Sequence, residues 1–241
     1  MLRFLSIKEV EEMVIYTGDT HGYTEKILTI TDKLSLTESD TIVILGDAGY
    51  NYYGNEYGDL RKKKIIGRMS PTVFCIHGNH EMRPATIPSY TTKKWNGGMV
   101  YYEKAFPNLL FAIDGEIYDL DGKRTIVIGG AYSVDKYYRI YRGINWFPDE
   151  QPSDEIKAKV EAVLDKEGWK IDQVLSHTCP YKYRPVEAFL SGLDQSTVDT
   201  STEEWLDTIE DRLDYKEWKC GHWHIDKKID RLTFLMDGFE S

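Results

Sequence analysis

Three absences narrow this 241-residue chain before any motif is read. No stretch is apolar enough to span a bilayer, which takes about 20 consecutive apolar residues, so no membrane association is expected. There is no basic surplus: 30 Lys and Arg stand against 40 Asp and Glu, a formal net charge of −10. Gripping nucleic acid through its phosphates needs a basic face, so stable nucleic-acid binding is not expected. Cysteine is scarce, at three residues with no CxxC spacing. An odd number without paired spacing points to free thiols in a reducing compartment. The opening residues MLRFLSIKEVEEM lack the apolar run and small-residue cleavage site of a signal peptide. The cytoplasm is the expected location.

What is present reads as an ordinary globular composition, 41% hydrophobic and 29% charged, long enough to bury a substantial core. Three apolar runs each end in a polar turn: MVIYTGDTHG, TIVILGDAG and PTVFCIHGNHE. Helical spacing in YTEKILTITDKL separates the first two, and EYGDLRKKKIIGRM separates the second pair. Strands alternating with helices predict a parallel sheet with the polar turns along its carboxyl edge. Later, NLLFAI, EIYDL and RTIVIGG are closely spaced strands, with Asp121-Gly122 as a hairpin turn. A helix is expected from Ser153 to Glu167, with Ser153 as N-cap and Asp154 and Glu155 in its first turn. IDQVLSH is a further buried strand, and the tail reads as strand, turn, strand. Strands in both halves end in candidate ligands, so a single domain over 1–241 with one shared site is expected.

The chain has only six histidines, and every one lies within three residues of a Gly, Asp, Asn or Pro. They stand in GDTHG (18–22), HGNHE (77–81), SHTCP (176–180) and KCGHWHID (219–226). If these segments are extended, alternation turns Asp19 with His21, and His222 with His224, toward one centre, and turns Trp223 away. With Asp47, Asn79 and His177 the set holds seven donors, carboxylate, imidazole and amide oxygen, without thiolate. Such donors favour manganese, iron, zinc or nickel. Seven are too many for one tetrahedral ion, whereas two ions about 3.5–4 Å apart clamp the two oxygens of a phosphoryl displacement. Two divalent ions against two carboxylates leave a net positive site, suited to phosphate.

GDTHG, GDAG, GNHE, SHTCP and GHWH, in this order from residue 18 to 224, resemble the five blocks of the calcineurin-like metallophosphoesterases. The resemblance implies an α/β fold of two mixed β-sheets packed as a sandwich with helices outside. It implies that Asp19, His21 and His224 bind one metal, that Asp47 bridges, and that Asn79, His177 and His222 bind the second. His80 would be a catalytic non-ligand beside the scissile phosphate. The expected reaction is attack on phosphorus by a hydroxide held between two divalent ions, manganese first. A phosphomonoesterase acting on a protein or small-molecule phosphate is the leading expectation. A phosphodiesterase of nucleotides or cyclic nucleotides and a non-catalytic metal-binding scaffold are the alternatives. The second block departs from the GDxxDRG form of the serine/threonine phosphatases: here it is GDAGYNYYG, without the phosphate-gripping arginine. Asn51, Arg83, Lys136, Arg139 and Arg142 are the candidates to compensate. The tyrosines of GYNYYGNEYG are either a stacking lid or a self-packed loop, and Cys179 and Cys220 stand beside proposed ligands.

Overall fold

The computed structural model describes residues 12–54, 57–189, 192 and 194–241. The segment read for a leader lies largely outside the described residues, as do Asn55 and Glu56 of the tyrosine-rich stretch.

The first sheet takes β1 (Val14–Thr17), β2 (Thr41–Ile44), β3 (Thr72–Cys75), β4 (Thr91–Trp95), β5 (Gly98–Glu103) and β6 (Phe106–Ala112). The second takes β7 (Ile117–Leu120), β8 (Lys123–Ile128), β9 (Gln173–Ser176), β10 (Glu217–Cys220), β11 (Lys227–Ile229) and β12 (Leu232–Phe234). The last strand, β13 (Phe239–Glu240), returns to the first sheet, whose order is β13-β1-β2-β3-β6-β5-β4. The second runs β11-β12-β10-β9-β8-β7. Both are mixed. Pairing is parallel through β1, β2, β3 and β6 and through β8, β9, β10 and β12, and antiparallel toward the edges.

Alternation along the central strands builds four layers. In β2 and the residue after it, Val43 and Leu45 point into the core between the sheets, where they join Phe74, Tyr118, Val127 and Leu175. Ile42 and Ile44 point outward, with Ile27, Ile30 and Ile66. These last belong to helices α1 (Thr24–Leu34) and α2 (Tyr57–Ile66). The second sheet is covered outside by Val160 and Leu164 and by Leu206 and Ile209, after a short exposed helix, α3 (Lys136–Arg142), on α4 (Asp154–Lys166) and α5 (Ser201–Glu210). A strand buried on both faces reads as a continuous apolar run, which is why TIVIL and QVL were legible.

The α4 boundaries follow from its cap: Ser153 Oγ accepts from the Ile156 N–H at 3.3 Å. Asp121 (φ 54°) and Gly122 (φ 70°) both take the left-handed conformation that a two-residue hairpin turn requires. The tail differs from its expected strand-turn-strand form. It makes three strands, with β12 parallel to β10 and β11 antiparallel to β12. The hairpin of β4 and β5, and helices α3 and α5, had not been expected. β4 carries exposed polar residues on both faces, and none of the residues of α3 is buried, so neither shows an apolar period. Among the described residues no helix is long and apolar enough to cross a membrane.

Candidate active site

The turns after β1, β2, β3, β9 and β10 meet at the carboxyl ends of both sheets. Backbone bonds fix their relative places. The N–H groups of Thr20 and His21 donate to Asp47 O at 3.2 and 2.7 Å, and Gly221 N donates to His177 O at 3.0 Å. Glycines make the close approach possible. A Cβ at Gly46 would sit 2.0 Å from His177 Nδ1, and one at Gly78 would sit 2.0 Å from Asp47 Oδ1.

The structure brings all seven proposed ligands together. Asp19, His21 and His224 present donor atoms within 4.8 Å of one another, and so do Asp19, Asp47 and His177. Asp47 lies between two groups. Its Oδ2 is 3.8 Å from His21 Nδ1, and its Oδ1 is 3.9 Å from His177 Nε2. Asn79 Oδ1 stands 2.8 Å from His177 Nε2 and 3.0 Å from His222 Nδ1.

The convergence does not come from an extended backbone. His21 (φ 45°), Asp47 (φ 47°), His222 (φ 65°) and His224 (φ 50°) are all left-handed, a conformation uncommon outside glycine and concentrated at functional sites. Trp223 accordingly does not turn away. Its ring lies 5.4 Å from that of His222 and stacks on Phe189 at 5.7 Å and 22°.

Donor chemistry tests whether cations fit. His177 Nδ1 is 2.8 Å from Leu45 O, a pure acceptor, so Nδ1 carries the proton and Nε2 presents a lone pair. Asn79 Nδ2 donates to Ser133 Oγ at 2.9 Å, which fixes Oδ1 as the atom facing that lone pair. Ser133 in turn donates to Glu150 Oε2 at 2.5 Å, and Trp146 Nε1 donates to the same oxygen at 2.8 Å. Two acceptors 2.8 Å apart repel unless a cation lies against both. The other cluster gathers ligand atoms as well. His21 Nε2 and His224 Nε2 are 3.2 Å apart, and His224 Nε2 is 3.3 Å from the buried Asp19 Oδ2. The donor set therefore fits divalent metal ions.

Electrostatics agree. Burial acts to raise Asp19, but His224, His177, His21 and the His222 N–H together hold it well below the usual carboxylate range. Burial pushes His222 well down, toward the neutral form that ligates metal. Hydrogen bonding to Asp19 raises His224.

His80 lies at the edge of this cluster. Its N–H donates to Asp47 Oδ1 at 2.8 Å, and its Nε2 is 3.4 Å from Arg139 Nη2. Burial pushes its imidazole below the ordinary value. Arg139 is held by Asp135, whose two oxygens accept from Nε at 2.8 Å.

The other residues expected to bind phosphate have partners of their own or lie at the surface. Arg83 points under the site, where Nη1 pairs with Asp114 at 2.6 Å and Nε donates to Asp149 O at 2.9 Å. Asn51 is fully buried and accepts from Tyr90 Oη at 2.8 Å. Lys136 lies over the Trp146 ring at 4.4 Å, and Arg142 is exposed. In the tyrosine-rich stretch Tyr52 packs edge-on against Tyr53 and Phe147, a self-packed loop rather than a wall of the cleft. Cys179 and Cys220 are buried, and burial raises both thiols well above their ordinary value, unlike a ligand thiolate.

Sequence reasoning missed Ser133, Trp146 and Glu150, which orient Asn79, and the role of Glu81. The Glu81 carboxyl accepts from Gly78 N at 3.1 Å and Gly49 N at 3.3 Å, tying the second and third turns together. Burial and Asp47 push it up to about 8. The E of GNHE was its only signal.

Beside the cluster opens a cleft of about 460 Å³, which Asp47, Asn79, His80, His222 and His224 share with a largely apolar wall.

Against known proteins, a search of curated sequences returned no match. Among solved structures, a protein of unknown function, AQ665 from Aquifex aeolicus, is similar over 72% of this chain and 82% of its own, at 15% identity and a TM-score of 0.33. A family model described as calcineurin-like phosphoesterase matches residues 13–226. That span takes in every turn of the cluster, and the chain belongs to the calcineurin-like phosphoesterases, metal-dependent hydrolases of phosphoesters.

Proposed function

We propose that the chain is a phosphomonoesterase working with two divalent ions, manganese first, as a single domain over residues 1–241. The observation that carries this reading is the convergence of ligand atoms, His177 Nε2 facing Asn79 Oδ1 and the imidazoles of His21 and His224 beside the buried Asp19 carboxylate, a donor set that divalent ions fit. When bound, such ions polarise a phosphoryl oxygen and lower the pKa of water.

The chain's own residues do the rest. Asp19, His21 and His224 would hold one ion and Asn79, His177 and His222 the other, with Asp47 between. The N–H groups of His222 and His80 fix one oxygen each of Asp19 and Asp47, at 3.0 and 2.8 Å, and leave the remaining oxygens for metal. Ser133 and Leu45 O set the faces of Asn79 and His177, the outer hydrogen bonds that orient ligands. Arg139 supplies the charge that the second sequence block lacks, and a monoester dianion needs that charge more than a diester does. His80, kept neutral by burial, hydrogen-bonds the leaving oxygen. The unpaired thiols fit a cytoplasmic enzyme.

A second reading, phosphodiesterase, is favoured by the 460 Å³ cleft, which has room for a second substituent on phosphorus. The test compares p-nitrophenyl phosphate with bis(p-nitrophenyl) phosphate, using metal-stripped protein before and after manganese. Turnover of the monoester, restored by the ion, is expected. Preference for the diester would replace the first reading by the second, and no metal-dependent turnover of either with manganese, iron, zinc or nickel would remove both.

A further inference from the structure

The far side of the cleft carries a group that the proposed chemistry does not use. Glu203 stands in the first turn of α5 and lines the cleft, yet is only 4% exposed. Its Oε1 accepts from Thr178 Oγ1 at 2.8 Å, while its Oε2 is buried and, among the described residues, has no hydrogen-bond partner. A buried acceptor left unsatisfied is unfavourable, more so when it is charged. The packing of Leu206 and Ile209 holds α5 in place and makes no use of that oxygen.

The wall beside Glu203 is flat. Phe189 and Trp223 stack at 22°, and the Arg184 guanidinium continues the surface, 5.7 Å from the Phe189 ring and 3.4 Å from that of Tyr181. Flat aromatic and guanidinium faces bind planar rings by stacking. Glu203 lines the same cleft as Phe189, Trp223 and Arg184, and an acceptor there with no donor asks for an N–H on what the cleft holds.

We propose that this cleft is the subsite for the alcohol part of the substrate, that it takes a planar heteroaromatic ring bearing an exocyclic amine, as in an amino-nucleoside phosphate, and that Glu203 sets the specificity by accepting from that amine. The inference rests on the phosphoester-hydrolase reading for its reaction but not for its binding. The ring stacks on Phe189 and Trp223 while the phosphate reaches His222 and His224, which line the same cleft. An amine-free ring keeps the stacking and loses the hydrogen bond. Buried polar groups then discriminate, because the missing partner leaves Glu203 as orphaned as before.

The experiment uses adenosine 5′-monophosphate, purine riboside 5′-monophosphate (the same ring without the amine) and ribose 5-phosphate. Two readouts are taken, kcat/KM with manganese and binding to the metal-free protein by tryptophan fluorescence. The adenosine compound is expected to exceed each of the others by about tenfold in both, the equivalent of one such hydrogen bond or stack. In Glu203→Gln the ratio of adenosine to purine riboside compound should fall to within about twofold. Equal values for all three in the native protein overturn the proposal whether or not the variant folds, and so does a ratio unchanged in folded Glu203→Gln. If the binding ratios hold and none of the three is hydrolysed, the subsite stands and the phosphomonoesterase reading fails. Turnover without discrimination does the reverse.

Discussion

At the scale of single residues, His80 and Arg139 carry the most informative test. They stand 3.4 Å apart, but they are assigned different tasks. If His80 assists the leaving oxygen, His80→Asn should cost about 10²–10⁴-fold in kcat with phenyl phosphate and far less with p-nitrophenyl phosphate, whose leaving group needs no proton. Equal losses on the two esters would make His80 a positioning group only. Arg139→Ala should instead cost about tenfold or more in kcat/KM on a monoester and little on a diester, since one charge on phosphate is lost. Arg139→Lys should recover only part, because the fork held by Asp135 is not reproduced. The proposed ligands were legible in the sequence because their chemistry is scarce: six histidines, nearly all in polar turns, leave few other uses. Arg83 and Asn51 show where that legibility stops. Both lie within a few residues of the cluster in sequence, but their direction depends on Asp114, Asp149 and Tyr90, which the sequence places far away. Glu203 was invisible for the same reason.

Elements set those residues through their ends rather than their lengths. Gly46 precedes Asp47 at φ 96°, and its missing side chain leaves room for the His177 ring from the other sheet. Gly46→Ala should therefore remove bound metal and activity while far-ultraviolet circular dichroism is kept, because the clash falls on the ligand and not on β2. Retained stoichiometric metal would show that the ring can shift without cost. Ser153→Ala gives the contrast. It deletes only the cap of α4, so it should lower stability by about 1 kcal/mol in denaturant unfolding and leave kcat alone. Helix α4 was readable to within a residue because its cap, first-turn acids and apolar spacing agree. α3 was not, because all of its residues lie at the surface and no periodic face marks it. The β4–β5 hairpin escaped likewise. Its register against β6 comes from long-range pairing, with a bulge at Tyr102/Glu103 that no local signal announces.

Over the whole molecule the cluster is a seam between two sheets that share a core but, among the described residues, no strand hydrogen bonds. Asp19, Asp47 and Asn79 come from the first sheet, and His177, His222 and His224 from the second. Without cations the seam sets the His177 Nε2 lone pair against Asn79 Oδ1 at 2.8 Å and crowds His21 Nε2 against His224 Nε2 at 3.2 Å. Metal binding therefore belongs to folding stability as well as to catalysis. A ligand at a thousand times its Kd adds about 4 kcal/mol, and a chain of this size gains about 2–4 °C per kcal/mol. Removing metal with a chelator should lower Tm by roughly 10 °C, and manganese should return it. In Asp47→Asn the shift should shrink, because the group facing both clusters has lost its charge. Chelation that strips the ions without moving Tm would mean that the turns hold their shape by backbone bonds alone. The Thr20, His21 and Gly221 amides would then suffice to join the strand ends, and metal would be needed only for the reaction.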